Sequence, residues 1–234
     1  MEKKLKILVT AGSTVVPIDQ VRGISNIFKG RTGAEIALFL SEENMEVTLV
    51  TSNKRVFDQQ PLSFGGRKSD KIIFFRTYDE LLQTMEHEIK NNSYDVIIHS
   101  AAVSDYRVSE VCVLENKNLI TIDSEKKVSS SYDDLYLHLT PTEKIIDLIR
   151  EPWGFRGYLV KFKLQVGISD NELIQIARNS RVTSKADMIV ANCLEWAKKK
   201  AYIIADDFED VVSRDLLPEK IYKVMIDKIV GGQS

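Results

Sequence analysis

The sequence predicts an α/β fold, in which a doubly wound and mostly parallel sheet carries an inserted antiparallel β arm. Three observations carry that expectation. Short apolar runs alternate with segments of helical period. Several runs end in small or polar residues, as buried parallel strands do where they open onto loops. From Arg107 to Leu139 the helical period disappears, and Val111/Val113, Leu119/Thr121 and Leu135/Leu137/Leu139 alternate with other residues instead.

In chain order, Leu5–Thr10 is a first strand that stops at Ala11-Gly12-Ser13-Thr14. Thr32–Glu42 has helical spacing, with Ile36, Ala37 and Leu40 on one side. Val47–Thr51 is a second strand and Lys71–Phe75 a third, separated by a polar loop over 54–70 that carries Gly65-Gly66. Tyr78–Lys90 is an amphipathic helix with Leu81, Leu82 and Met85 inward. Asp95–His99 is a fourth strand, ending at Ser100-Ala101-Ala102. After the arm come a fifth strand at Tyr158–Phe162, a helix over Asn171–Asn179 and a sixth strand at Met188–Ala191. Tyr202–Ala205 offers another strand, and Pro218 opens a last helix reaching Val230. Right-handed crossovers make this alternation Rossmann-like. The arm, 107–140, is either a sheet extension or a flap for subunit contact.

With 234 residues, 44% of them apolar, the chain reads as one domain, 1–234, with that appendage. The net charge of −2, from 32 basic and 34 acidic side chains, does not suggest a nucleic-acid binder and leaves room for a local basic pocket for a phosphorylated ligand. Cys112 and Cys193 lie far apart, and no CxxC or HExxH occurs, so no structural zinc site is expected. The opening apolar run is too short for a signal-peptide core or a membrane span. The expectation is a cytoplasmic protein with reduced thiols and no membrane partner.

In an open parallel sheet, ligands bind outside the carboxyl ends of the strands. There the sequence puts Ala11–Thr14, Ala101–Asp105, the group Lys161, Phe162 and Lys163, and Asn192. The dinucleotide fingerprint is missing: the first loop has one glycine, and the second strand runs into Thr51-Ser52-Asn53 without an acid. A Walker A lysine motif is absent too. Gly30-Arg31-Thr32-Gly33 precedes the first helix and is either a plain turn or an anion-binding helix start. His87, His99 and His138 are scattered, and each reads as structural.

Two long motifs resemble a known family. Thr10–Asn26 (TAGSTVVPIDQVRGISN), continued by Gly30 and Gly33, resembles the opening of phosphopantothenate–cysteine ligases. Ala101–Tyr106 is similar to that family's second signature, and Lys126–Ser130 to its arm motif. Leu137–Ile146, Phe162 and Ile189–Asn192 continue in the same order, so the resemblance spans nearly the whole chain. Many bacterial relatives carry an N-terminal flavin decarboxylase. Here the ligase pattern starts at Thr10, which implies a monofunctional form without flavin.

The resemblance implies that the carboxylate of 4′-phosphopantothenate attacks the α-phosphate of a nucleoside triphosphate. That triphosphate is usually CTP in bacteria and ATP in eukaryotic relatives. Pyrophosphate leaves, an acyl-cytidylate forms when the triphosphate is CTP, and the amine of L-cysteine takes the acyl group, releasing CMP. Mg²⁺ or Mn²⁺ offsets the triphosphate charge, and the protein is a homodimer. By the same resemblance Asn26 and Lys127 are catalytic, and Arg22, Asn26, Ala101, Ala102 and Asp105 bind substrate. Gly12, Ser13, Thr14, Ser100, Ala101, Asp105, Lys127, Glu143, Lys144, Ile145, Ile146 and Phe162 meet the nucleotide. The metal's ligands are not implied.

The chain departs from the family pattern in places. Val16 stands for a common glutamate, and Ile27-Phe28-Lys29 for a serine-rich stretch. Lys161 stands for a frequent glycine, and Ser180 and Ser184 for two lysines of some bacterial members, with Arg178, Arg181 and Lys185 close by. The alternatives are a Rossmann-like nucleotide-binding or reductase protein without ligase activity, and a non-catalytic subunit. The missing acidic ribose anchor speaks against a reductase.

Overall fold

A computed structural model describes residues 4–55 and 70–231. Most of the loop expected over 54–70 lies outside them. Strand β1 (Lys6–Ala11) buries both faces: Ile7, Val9 and Ala11 pack to one side of the sheet and Leu8 to the other. That two-sided burial is why the strand reads as a continuous apolar run. A short hairpin follows, β2 (Val15–Pro17) and β3 (Gly23–Ser25), then helix α1 (Arg31–Glu42), β4 (Glu46–Thr51) and β5 (Lys71–Phe74). Helix α2 (Tyr78–Asn91) leads into β6 (Val96–His99).

The arm is three strands, β7 (Tyr106–Glu115), β8 (Asn118–Ile122) and β9 (Tyr136–Pro141), antiparallel in the order β8-β7-β9. A single turn, α3 (Ile145–Leu148), returns the chain to β10 (Tyr158–Gln165), α4 (Asp170–Thr183) and β11 (Met188–Cys193). Then come β12 (Lys200–Ile204), β13 (Glu209–Ser213) and α5 (Leu217–Gly231).

The main sheet runs β13-β12-β11-β10-β6-β1-β4-β5. The six strands from β11 to β5 are parallel, and β12 and β13 close one edge antiparallel. Helices cover both faces. On one, Ile36 and Leu40 of α1 and Leu217 and Ile221 of α5 pack on Ile7, Val9 and Ile98. On the other, Leu81 and Met85 of α2 meet Leu8, Ile97 and Leu159. A third cluster sets Leu173 and Ala177 of α4 on Ile189 and Ala191.

The expected fold class is the observed one, with four differences of detail. The β2–β3 hairpin has three-residue strands, too short to show a period. The single turn α3 is likewise too short. Edge strand β13 is mostly exposed, so it lacks an apolar signature. Helix α4 runs past Asn179 through the β-branched Val182 and Thr183, residues of low helix propensity, because a buried ammonium holds its end.

Candidate functional site

Strands β1 and β6 are neighbours, yet the chain leaves β1 towards β4 and β6 towards β10. This is the topological switch point of the sheet, and a crevice opens beyond the two carboxyl ends. One wall is the Gly12–Thr14 loop and the other is Ser100–Asp105. They are stitched together: Ala102 N donates to the Gly12 carbonyl at 2.8 Å, and Thr14 N to the Ala102 carbonyl at 3.3 Å. Ser104 N donates to Thr14 Oγ1 at 2.9 Å, and Asn26 Nδ2 reaches the Ala102 carbonyl at 3.2 Å.

The amino end of α1 closes on the same loop. Gly30 has φ 77° and stands so near that a Cβ on it would lie 2.3 Å from Gly12 N. No side chain caps this helix and its first turn holds no acid. Its leading N–H groups have no partners within the helix, and the positive end of its dipole faces the crevice rim. By contrast Ser13 N donates to Ser52 Oγ at 2.9 Å, so that amide is already engaged, and Ser100 Oγ is committed to the Thr10 carbonyl at 2.6 Å.

Beside the crevice lies a cavity of about 200 Å³. Ala101, Asp105, Glu143, Lys144, Phe162 and Lys161 are among its lining, as are Ile145 and Ile146. Tyr78 fixes one wall from α2, donating to the Glu143 carbonyl at 2.7 Å. Thr142 fixes the arm's return: its N–H donates to the Asp105 carbonyl at 2.9 Å and its hydroxyl to the Ser104 carbonyl at 2.7 Å. A larger cavity of about 1090 Å³ lies at the amino ends of the strands, lined by Leu5, Asp95, Gly157 and Asp187. Asp187 there is occupied by Arg150 and Leu159 N, and no expected site residue lines it. The switch-point crevice is the candidate site.

Two basic residues line the cavity side by side, Lys161, which the sequence placed at the strand end, and His99, which it read as structural. His99 and Lys161 are register partners on β6 and β10, both buried. The Lys161 ammonium donates to Ser180 O at 3.1 Å and to Ser180 Oγ and Ser184 Oγ at 3.0 Å. Burial pulls its pKa down to about 8, partly countered by Asp147, and Lys163 and Lys144 add to the fall. Burial, helped by the Lys161 charge, lowers His99 to about 4, so its ring is neutral at pH 7. The sequence signal was a basic residue near the end of each of two adjacent apolar strands. Arg178, Arg181 and Lys185, close to Ser180 and Ser184 in sequence, pair with Glu209, Asp206 and Glu151.

The remaining expected residues lie apart from the cavity. Lys127 is exposed on the arm. Arg22 is exposed on the hairpin turn, with Nη2 2.5 Å from Asp19 Oδ2 and 2.8 Å from the Val128 carbonyl. Among the described residues no three His, Cys, Asp or Glu side chains are grouped to hold a metal, and no helix is long and apolar enough to cross a membrane.

Known proteins share this fold. A solved structure of the DNA/pantothenate metabolism flavoprotein of Streptococcus pneumoniae superposes with a TM-score of 0.79 at 30% identity, covering 94% of this chain and 97% of that one. A Cab2 mutant in complex with phosphopantothenate-cysteine has the same fold, with a TM-score of 0.74 at 16% identity over 98% of this chain and 89% of that one. The coenzyme A biosynthesis bifunctional protein CoaBC of Thermococcus kodakarensis is 37% identical over 192 residues, which are 81% of this chain and 41% of the relative. The chain thus spans less than half the length of the curated relatives it matches. Residues 2–213, which include both walls of the crevice and the arm, match one family description, and on that ground the chain belongs to the DNA/pantothenate metabolism flavoprotein C-terminal domain family.

Proposed function

We propose that this chain is a phosphopantothenate–cysteine ligase of coenzyme A biosynthesis. It activates the carboxylate of 4′-phosphopantothenate with CTP to an acyl-cytidylate, then forms the amide with L-cysteine and releases CMP and pyrophosphate. One observation carries the reading: the uncapped α1 amino end, the Gly12 loop and the Ala101–Ala102 edge converge at the switch point beside a lysine-lined cavity. That is a place for a polyanion and a flat ring. The relationship to a coenzyme A biosynthesis protein at 37% identity supports the pathway.

A free carboxylate does not acylate an amine, so it must first gain a leaving group. Transfer to phosphorus depends on positioning and charge stabilisation rather than on a protein nucleophile. The half-buried Phe162 offers the nucleoside a ring face. Phosphates meet the α1 amino end and the Gly12–Thr14 loop, where the Ser13 amide exchanges its Ser52 contact for a phosphate oxygen. Lys127 comes from the arm to the charge that builds on the α-phosphate. Asn26 holds the acyl group and Arg22 the phosphate of phosphopantothenate.

Mg²⁺ commonly takes one or two carboxylates and otherwise substrate oxygens. The exposed Asp105 and Glu143 at the cavity suit that role, and the ion supplies charge neutralisation. The protein acts as a homodimer. Exposed Ile24, Ile27 and Phe28 on the hairpin side, with Leu119, Tyr136 and Leu139 on the arm, give a second copy an apolar face.

The test supplies purified protein with Mg²⁺, 4′-phosphopantothenate and cysteine, and CTP or ATP in parallel. CMP and pyrophosphate that depend on phosphopantothenate support the ligase and the CTP preference. AMP keeps the ligase and changes the nucleotide. No monophosphate from either, in folded protein, sinks the reading.

A further inference from the structure

Asp19 lies in the turn between β2 and β3, and its carboxylate is 0% exposed. Among the described residues it accepts five hydrogen bonds. Oδ1 takes the amides of Val21 at 2.8 Å and Arg22 at 2.7 Å. Oδ2 takes Arg22 Nε at 3.0 Å, Arg22 Nη2 at 2.5 Å and the Val128 amide at 3.0 Å. Arg22 Nη2 also donates to the Val128 carbonyl at 2.8 Å. Both backbone groups of Val128 are therefore held by one ion pair from the far end of the sequence.

Val128 is 3% exposed, between exposed neighbours, in the segment joining β8 to β9. That segment, 123–135, has no ladder bonds. Its other hydrogen bonds are internal, Glu125 N to Asp123 and the Ser129–Ser131 contacts. Among the described residues, only Asp19 and Arg22 tie it by hydrogen bonds to anything outside. A buried carboxylate is costly unless its charge and lone pairs are met, and the Arg22 guanidinium holds this one far below the ordinary carboxylate range. Within the turn itself, Oδ1 takes its two amides, and Ile18 N and Asp19 N donate to the Arg22 carbonyl. The guanidinium and the arm amide on Oδ2 are extra.

We propose that Asp19 is a positioning residue, whose clasp on Val128 fixes the arm backbone next to Lys127 so that the lysine is delivered from the same frame that carries Asn26. This rests on the ligase reading, in which Lys127 acts. Asp19 itself touches no substrate. With Val128 pinned at both N–H and C=O, Lys127 has only its side chain to search with. Without the clasp the whole segment must be ordered at each turnover.

The experiment is a double-mutant cycle with an independent readout of the arm. Asp19→Asn, Lys127→Gln and the double variant are assayed for pyrophosphate release, and hydrogen exchange is followed in peptides covering 123–135. Asp19→Asn is expected to lower kcat about 10–100-fold, in line with small misplacements of a reacting group, while KM for cysteine changes little. In the Lys127→Gln background the same change costs less than about twofold in kcat, because the residue it positions is gone, while any change in KM for phosphopantothenate reports on Arg22 instead. Exchange in 123–135 rises while β1 and β6 stay protected. Val128→Pro, which deletes the arm amide and leaves the ion pair, reproduces the result should Asp19→Asn fail to fold. Additive losses, or unchanged arm exchange in a folded variant, overturn the proposal. A wild-type chain without ligase activity overturns its catalytic half; faster arm exchange then still upholds the clasp.

Discussion

Asn26 donates from Nδ2 to the Ala102 carbonyl at 3.2 Å, so it spans the crevice. An aspartate there turns a donor into a carboxylate facing a carbonyl oxygen. Asn26→Asp is expected to leave the fold intact and lower turnover at least ~100-fold, as removing one placed donor does. Lys127→Gln is expected to act alike, and steady-state kinetics beside circular dichroism check both. Near-normal turnover in both variants refutes the site. Lys161 makes a different prediction. Its pKa of about 8 in the fold lies below the ordinary 10.5, so between those values the unfolded chain binds the proton more strongly. Stability from this group therefore rises as pH climbs from about 8 to 10.5, and its destabilising effect is complete below 8. Urea midpoints for wild type and Lys161→Met at pH about 7 and about 9.5 measure this, and the variant is expected to lack the rise. Asn26, Ala101 and Asp105 could be singled out because they sit in long motifs, and the fold brings them to the crevice and its cavity. Lys161 was singled out at its strand end, but its pairing with His99 was not, because a histidine at the end of an apolar strand looks the same whether it serves the sheet or a ligand until the register brings the two together.

Helix α2 opens with a complete capping box: Thr77 accepts from Glu80 N, and the Glu80 carboxylate accepts from Thr77 N. Thr77→Ala is expected to cost about 1 kcal/mol by urea unfolding. Helix α1 has no such box and is set by close approach instead. A Cβ on Gly33 would meet Ser100 Oγ at 2.4 Å and the Thr10 carbonyl at 2.8 Å. Gly33→Ala thus exchanges about 1 kcal/mol of helix propensity for a displaced helix start, and is expected to destabilise by about 1–3 kcal/mol. An unchanged midpoint shows that α1 can back away. The long periodic elements, β1, α1, α2 and β11, were legible because burial on a fixed face writes the period into the residues. The hairpin β2–β3 and the turn α3 were not, since neither is long enough for its period to repeat visibly. Yet the hairpin turn carries Asp19 and Arg22, and Lys144 stands at the N-cap of α3.

The main sheet's core and the arm are built from separate stretches of chain. The three hydrophobic clusters contain no residue between 107 and 140. The arm's ends meet, Tyr106 pairing with Pro141 and Thr142 N with the Asp105 carbonyl. Paired antiparallel residues lie about 5 Å apart, so a short glycine linker can replace 107–140. That deletion is expected to keep one cooperative urea transition while ligase turnover and dimer sedimentation are lost; an unfolded product shows that the sheet needs the arm. Alternation at 111–139 made the arm legible, but its attachment was not, because Asp105 and Thr142 are brought together only by the return of the chain. An excursion that leaves and re-enters by one doorway behaves as a cassette in heredity. Apart from the codons for Lys127 and Val128, those between Arg107 and Thr140 are expected to tolerate changes of length while the strand ends hold their places, so lineages sharing this sheet are expected to diverge in length there first.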